Sequence, residues 1–480
     1  MSPHAAVVRY QAGFASVDTE LDGVELTVRG DLPSWLEGEL VRNGPGTFEA
    51  GKKSFRHWFD GQAMLHRFSL AGGRVSYQNR FLDTPNLRSA RSGRIGFAEF
   101  ATDPCGTIFS RFFARMRAGR GSSAWAAGNP VVNVTAMADS QFAITEIPIA
   151  VRFDPATLAT LGFARYEDDL RGQFTSAHPH RMPGSGDLVN YLLNFGPRSE
   201  YQIYRQRPGV MSRDLVAAIP DRHPGYMHSF AVTSSHAILV VYPFVVNPLN
   251  MLLRDRPFIE NYRWRPELGT QFIVIGLDDG SVRKLSCPEP VFAFHHINAY
   301  TDENGELVID LCAYPDPYLI NAAYLDKLRA GVSIQLPVPT RYRLDLRRNA
   351  VRAARLSDEL FELPRISYDG HNGRPYRIAY GVGDHDQGGR DFFNQLVKLD
   401  MREGRADRWH EAGTYPSEPV FVPAPGAAAE DEGVVLSVVL DAATARSFLL
   451  VLDAGSWREL ARATVPQAVP FGFHGQFTRG

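Results

Sequence analysis

Phe272-Ile-Val-Ile-Gly-Leu277-Asp278-Asp279-Gly280 is an apolar run that stops on three turn-forming residues, and it reads as a β-strand entering a tight hairpin. The same lead, an apolar residue followed by Asp and then by turn-forming or charged residues, returns at Phe153-Asp154-Pro155, Leu344-Asp345 with Asn349, Leu399-Asp400 with Gly404 and Leu452-Asp453 with Gly455. Ala71-Gly72-Gly73 and Arg207-Pro208-Gly209 are looser versions of it. Marked at 72, 154, 208, 278, 345, 400 and 453, the turns lie 53 to 82 residues apart. Units of that size, each with room for about four strands, are what a propeller is built from. The expected fold is all-β, a seven-bladed β-propeller forming one domain over residues 1–480.

Further strand signals at 75–81, 307–311 and 434–440 fit the same plan. Three segments, 108–117, 249–262 and 318–328, carry apolar residues at three- and four-residue spacing and are predicted to be helical. They are expected between the repeating units, as helical insertions forming a cap, or dome, over one face, where loops carry function.

Composition narrows the class. With 44% apolar and 11% aromatic residues the chain can bury a large core. Lys+Arg 51 against Asp+Glu 53, with no block of like charge, argues against nucleic acid as a partner, and nothing points to an obligate protein partner. Cys105, Cys287 and Cys312 are odd in number and far apart, which suits neither a disulfide framework nor a cysteine zinc site and points to a reducing cytoplasm. Residues 1–18 lack a basic start followed by an apolar core, and the longest apolar run, 237–246, is interrupted by Pro243. A soluble chain made without export is expected.

The 14 histidines carry the chemistry. A lone histidine is ordinarily structural, but His178, His228, His295 and His474 stand 24, 20, 17 and 21 residues beyond the turns at 154, 208, 278 and 453. One strand past an outer hairpin is the innermost strand of the next blade, so four imidazoles are expected to converge on the axis. At the same register, Glu362 and Glu418 follow the turns at 345 and 400 by 17 and 18 residues. A carboxylate beside a metal-bound imidazole accepts its other N–H and fixes its orientation; an ordinary salt bridge is the alternative for these acids. Imidazole suits iron, copper, zinc and nickel alike, so the ligand set leaves the metal open. Four-coordinate zinc would be closed and structural, whereas iron tolerates further ligands and can keep positions for O2.

Gly46-Thr-Phe-Glu-Ala-Gly51-Lys52-Lys53 nearly spells a phosphate-binding loop. Lys53 replaces the Ser or Thr that binds magnesium, and 54–59 reads as a strand where a helix N-terminus is required. The chain has no G-x-S-x-G, no H-E-x-x-H and no G-x-G-x-x-G after a strand, which removes support for serine hydrolase, zincin and dinucleotide-binding readings.

Leu40-Val-Arg-Asn-Gly-Pro-Gly46, His57-Trp-Phe-Asp-Gly-Gln-Ala-Met-Leu-His66, Ala177-His-Pro179, Met227-His-Ser-Phe230, Phe294-His-His-Ile-Asn298, Ser417-Glu-Pro-Val-Phe-Val-Pro423 and Phe473-His-Gly475 together resemble the carotenoid cleavage oxygenases, across nearly the whole chain. The resemblance implies a seven-bladed propeller with one Fe(2+) per chain on the axis and a helical dome over the entrance. The residues matching the family's ligands are His178, His228, His295 and His474, with His295 rather than His296 standing three before Asn298. The acids matching those behind its ligands are Glu146, Glu362 and Glu418, of which Glu146 comes from the resemblance alone. Thr102-Asp-Pro-Cys105 with Ile108-Phe-Ser-Arg-Phe-Phe113, and Pro317-Tyr-Leu-Ile-Asn-Ala-Ala-Tyr-Leu325, look most like the animal-type branch, which makes retinoids and apocarotenoids.

The implied activity is cleavage of a lipophilic polyene, a carotenoid or apocarotenoid, by O2 to aldehydes, with 15,15' cleavage to retinal expected first. Eccentric cleavage, retinoid isomerisation and hydroxystilbene cleavage are the alternatives. Stilbene-cleaving members carry a lysine just before the glutamate that here is Glu146, and this chain has Thr145 there. Because such a substrate dissolves in membranes, Phe109, Phe112, Phe113 and Met116, interleaved with Arg111, Arg115, Arg117 and Arg120, are candidates for peripheral membrane contact by a cytoplasmic protein. A helix packed on the propeller is the other reading of that segment.

Overall fold

A computed structural model describes residues 10–17, 19–104, 128–388 and 391–479, with the side chain of Leu252 left out. Seven antiparallel sheets form the seven blades. Blade 4 shows why the sequence folds this way. Its middle strands, His236–Val241 and Thr270–Gly276, are continuous apolar runs because a blade is covered on both faces by its neighbours. Its edge strand, Val282–Cys287, is mostly exposed and correspondingly polar.

All seven marked turns join the third and fourth strands of a blade. The leading aspartate earns its place as a cap. The side chains of Asp154, Asp345, Asp400 and Asp453 each accept backbone N–H groups two or three residues ahead. In the turn after Leu277 that role passes to Asp279, which holds Ser281, while Gly280 takes φ +66°.

The ring closes with both ends of the described chain. Thr27–Gly30 pairs with Glu459–Thr464 as the outermost strand of blade 7, and Gly475–Arg479 pairs with Gly38–Thr47 as the innermost strand of blade 1.

Because strands alternate in direction, the connections between second and third strands emerge on the same face as those leading from one blade to the next. The insertions use this. The helix Pro248–Leu253 and the turn Ile259–Asn261 lie between the second and third strands of blade 4, and the helices Tyr318–Ala322 and Leu325–Arg329 between those of blade 5. They are inside blades rather than between them, which corrects the sequence expectation but leaves the cap on one face. Each was also expected as one helix and is two short pieces: Arg256-Pro257 interrupts the first, and Tyr324, extended at ψ 136°, the second. The segment 108–117 lies outside the described residues.

The segment 54–59 is not the expected strand. Only Lys53–Ser54 is extended, and Trp58–Asp60 forms a helical turn. Glu49–Ala50 pairs with Lys53–Ser54 in a small hairpin that follows the strand Gly38–Thr47, so no helix N-terminus is available to hold a phosphate. Cys287 and Cys312 are buried free thiols; Cys105 is outside the described residues. Among the described residues no helix is long and apolar enough to cross a membrane.

Candidate metal centre

Four blades each bring one histidine to the centre of the ring. His178 lies between the two short inner strands of blade 3, His228 just ahead of blade 4, His295 at the start of blade 5 and His474 at the start of the closing strand. One ring nitrogen from each lies within 4.8 Å of the others. His178 Nε2 is 3.0 Å from His228 Nε2, and His295 Nε2 is 3.2 Å from His474 Nε2. His296 points away and bonds Ser229 Oγ through Nδ1 at 2.8 Å, because successive side chains of a strand face opposite ways.

Three of the four rings are held from behind by carboxylates. His228 Nδ1–H donates to Glu146 Oε1 at 2.7 Å, His295 Nδ1–H to Glu362 Oε2 at 2.6 Å, and His474 Nδ1–H to Glu418 Oε1 at 2.7 Å. Each acid is itself anchored. Tyr226 donates to Glu146 Oε1 at 2.7 Å and Tyr314 to Glu362 Oε1 at 3.0 Å. Buried Arg42 donates to Glu418 Oε2 at 2.8 Å, joined by Gly475 N–H at 3.0 Å. Leu363 takes φ +49°, an unusual conformation for a leucine, with its N–H on Glu362 Oε2. No carboxylate bonds His178 among the described residues. Its backbone N–H donates to Ser176 Oγ, which in turn donates to His228 O.

Burial, reinforced by the neighbouring imidazoles, pushes His178 and His474 well below the ordinary histidine range, so they are neutral. Burial would raise Glu362, but His295, the Leu363 N–H and Tyr314 outweigh it and hold the group below the usual range.

This donor set fits a cation. A carboxylate on Nδ1 fixes the Nε2 lone pair toward the centre, so His295 and His474 turn two lone pairs on each other at 3.2 Å. A bound metal ion removes that repulsion, and imidazoles oriented by carboxylates are the usual form of such a site.

The centre opens on a cavity of about 1870 Å3, whose wall includes His228, His295 and His474. Phe59, Phe294 and Phe473 line it beside the histidines, and Phe100, Phe174 and Phe258 lie further along. Its volume exceeds that of an ordinary small-molecule pocket and its wall is largely apolar, which suits a long hydrophobic ligand. Thr145 is also on the wall.

Among the described residues, the structure brings together the four histidines with Glu362 and Glu418, and with Glu146, which the resemblance alone had supplied, while Phe109, Phe112, Phe113 and Met116 lie outside the described residues. Sequence reasoning missed Tyr226, Tyr314 and Arg42. Arg42 and Tyr226 sit in or beside motifs already singled out, but nothing local marks Tyr314.

Comparisons with known proteins agree with this geometry. The model of the family "Retinal pigment epithelial membrane protein" matches residues 14–479. A carotenoid isomerooxygenase of Galleria mellonella is 36% identical, the match covering 95% of this chain and 93% of that protein. A mitochondrial carotenoid-cleaving dioxygenase of Pongo abelii is 34% identical (95% and 92%), and a β,β-carotene 15,15'-dioxygenase of Gallus gallus 30% identical (95% and 95%). Among solved structures, a cobalt-substituted Synechocystis apocarotenoid oxygenase superposes with a TM-score of 0.85 at 25% identity, over 98% of both chains. Matched end to end by the family model and by relatives of this likeness, the chain belongs to the carotenoid cleavage oxygenase family of enzymes.

Proposed function

We propose that this enzyme is a ferrous-iron dioxygenase, with one Fe(2+) held by His178, His228, His295 and His474, that cleaves a C=C bond of a carotenoid or apocarotenoid with O2. The observation that carries this reading is the carboxylate-braced cluster of four histidines in the wall of an aromatic cavity. When bound, the iron supplies activation of O2, which no side chain provides. Iron is favoured over zinc because the cluster faces the cavity, whereas four protein ligands on zinc make a closed structural site. The cobalt-substituted relative supports a metal centre that accepts replacement. Arg42 and Arg365 already stand against the three acids at Glu418, and a divalent ion adds positive charge at the centre itself.

The residues of the chain position and shield. Phe59, Phe294 and Phe473 hold one stretch of polyene against the centre and keep water away, while Glu146, Glu362 and Glu418 keep the imidazoles from turning. Adding O2 across one C=C to give two C=O groups balances in atoms and electrons, so no nicotinamide or flavin is required. We place the cut at the central 15,15' bond, giving retinal. The animal-type segments favour this, as does the β,β-carotene 15,15'-dioxygenase likeness. Thr145 on the cavity wall offers no cation to a stilbene phenol.

Peripheral membrane contact is part of the same reading. Leu249 and Leu253 are 58% and 65% exposed on the helix Pro248–Leu253, beside the cavity that Leu249 lines. The test of the function is product analysis under air with β-carotene, an apocarotenal, a hydroxystilbene and a retinyl ester. Retinal from β-carotene is the expected product. Unequal apocarotenal fragments would move the cut, and isomerisation of the ester with no cleavage would replace the oxygenase reading.

A further inference from the structure

Glu99 is one of several polar residues on this wall that have no part in the metal centre. Phe473, next to His474, meets Phe59 with ring centroids 5.2 Å apart, and Phe59 meets Phe100 at 5.2 Å. Glu99, next to Phe100 in the chain, lines the same cavity, so a polyene lying along these rings from the histidines passes this residue.

Two acids sit close together here in unlike surroundings. Asp60, fully buried, accepts the N–H groups of Ala101 and His57 and the hydroxyl of Thr102. Among the described residues the side-chain partners of Glu99 are amides, with Asn86 Nδ2 on its Oε1 at 2.5 Å and Gln62 and Asn129 nearby. Among the described residues the buried Gln62 Oε1 and Asn86 Oδ1 have no donor on them, so the cluster around Glu99 has acceptors to spare for an O–H. Burial first, and the Asp60 charge second, push Glu99 well above the ordinary carboxylate range. Burial raises both acids, Asp60 to about 6, and Glu99, which has fewer hydrogen-bond donors on it, is the one that favours the proton. A neutral carboxyl in an apolar wall both donates and accepts a hydrogen bond, and costs the wall no buried charge.

We infer that Glu99 is a specificity-determining residue of the cavity, where its carboxyl hydrogen-bonds the oxygen of a substrate end group, a hydroxyl or an aldehyde, and so favours oxygenated apocarotenoids over hydrocarbons of equal length. The inference rests on the polyene-cleaving reading. It also links that bond to the position of the cut, since fixing one end of a rigid polyene fixes which double bond lies at the histidines.

Binding read without turnover separates the two. An apocarotenol and the same polyene lacking the hydroxyl are titrated into the metal-loaded protein, following quenching of tryptophan fluorescence, to which Trp58 on the cavity wall contributes. The wild type should prefer the alcohol by about 3- to 10-fold, the scale of one neutral hydrogen bond. Glu99→Gln should keep most of that preference, and Glu99→Leu should bring the ratio near one while holding the hydrocarbon as well as before. Equal binding of the two ligands by the wild type would overturn the inference without any variant. So would a preference that survives Glu99→Leu in protein of unchanged circular dichroism. Failure to cleave either ligand under air would count against the oxygenase reading and leave the binding ratio to decide Glu99.

Discussion

Nε2 of His295 lies 3.2 Å from Nε2 of His474, although each ring gives its other N–H to a different carboxylate, Glu362 and Glu418. Two buried lone pairs that close repel unless a cation lies among them. His295→Ala should therefore lose most of the bound metal, whereas His296→Ala, whose ring bonds Ser229, should keep it. Metal analysis of the two purified variants checks this, and a full complement of iron in the His295 variant would remove the site.

The three acids act through the rings they hold. Glu362→Gln or Glu418→Gln should weaken iron affinity or turnover by roughly 10- to 100-fold in a protein that still folds. Iron titration with turnover measures it, and unchanged values in both variants would make these acids ordinary salt-bridge partners. Glu418→Gln also removes the carboxylate charge beside buried Arg42, which keeps its bonds to the carbonyls of Glu418 and Phe473, so a loss of stability is expected in that variant and not in Glu362→Gln.

Much of this was legible in the sequence because the signals were local. An aspartate caps five of the seven hairpins between third and fourth strands, and counting from the marked turns reaches the inner edge of the next blade, in or beside whose first strand His178, His228, His295, His474, Glu362 and Glu418 sit. Glu146 breaks the count because it lies between the second and third strands of blade 2, after Ser140–Ile144 and before Ala150–Phe153. Antiparallel alternation still brings that loop to the same face, which is a property of topology and not of spacing. Arg42 reaches Glu418 across 376 residues, and Tyr314 reaches Glu362 across the boundary between blades 5 and 6. The insertions at 249–262 and 318–328 read as continuous helices in the sequence, since periodicity does not register a break at Pro257 or Tyr324.

The cap is tied to blade 1 by a histidine that titrates out of range. His57, fully buried, donates from Nε2 to Ile320 O at 2.9 Å, and burial above all lowers its pKa to about 3. An unfolded histidine titrates near 6.5, so the folded pKa is depressed and the stability is present above about pH 6.5 and lost as pH falls toward 3. The slope is about 1.4 kcal/mol per pH unit for one such group. Asp60, raised by burial to about 6, works in the opposite direction over part of that range, so the wild type is compared with His57→Gln, in which Asp60 is retained. Urea denaturation at pH 7 and pH 5 should show the wild type losing more stability on acidification than the variant; equal losses would contradict it.

Membrane contact predicts co-sedimentation with liposomes. Leu253→Asp, and separately Phe112→Asp with Phe113→Asp, should reduce it while cleavage of a detergent-dispersed substrate continues. Unaltered sedimentation in both would leave the exposed leucine without that role, and loss of folding in the double variant would favour a packed helix over 108–117.

The most direct measurement is the fate of oxygen. Iron-loaded protein is given β-carotene under 18O2, with exchange of the aldehydes with water controlled, and the products are read by mass spectrometry. Retinal carrying 18O in both fragments is the predicted result. Substrate returned uncleaved by protein whose four histidines hold iron, or carbonyl oxygen drawn from water, would contradict the account.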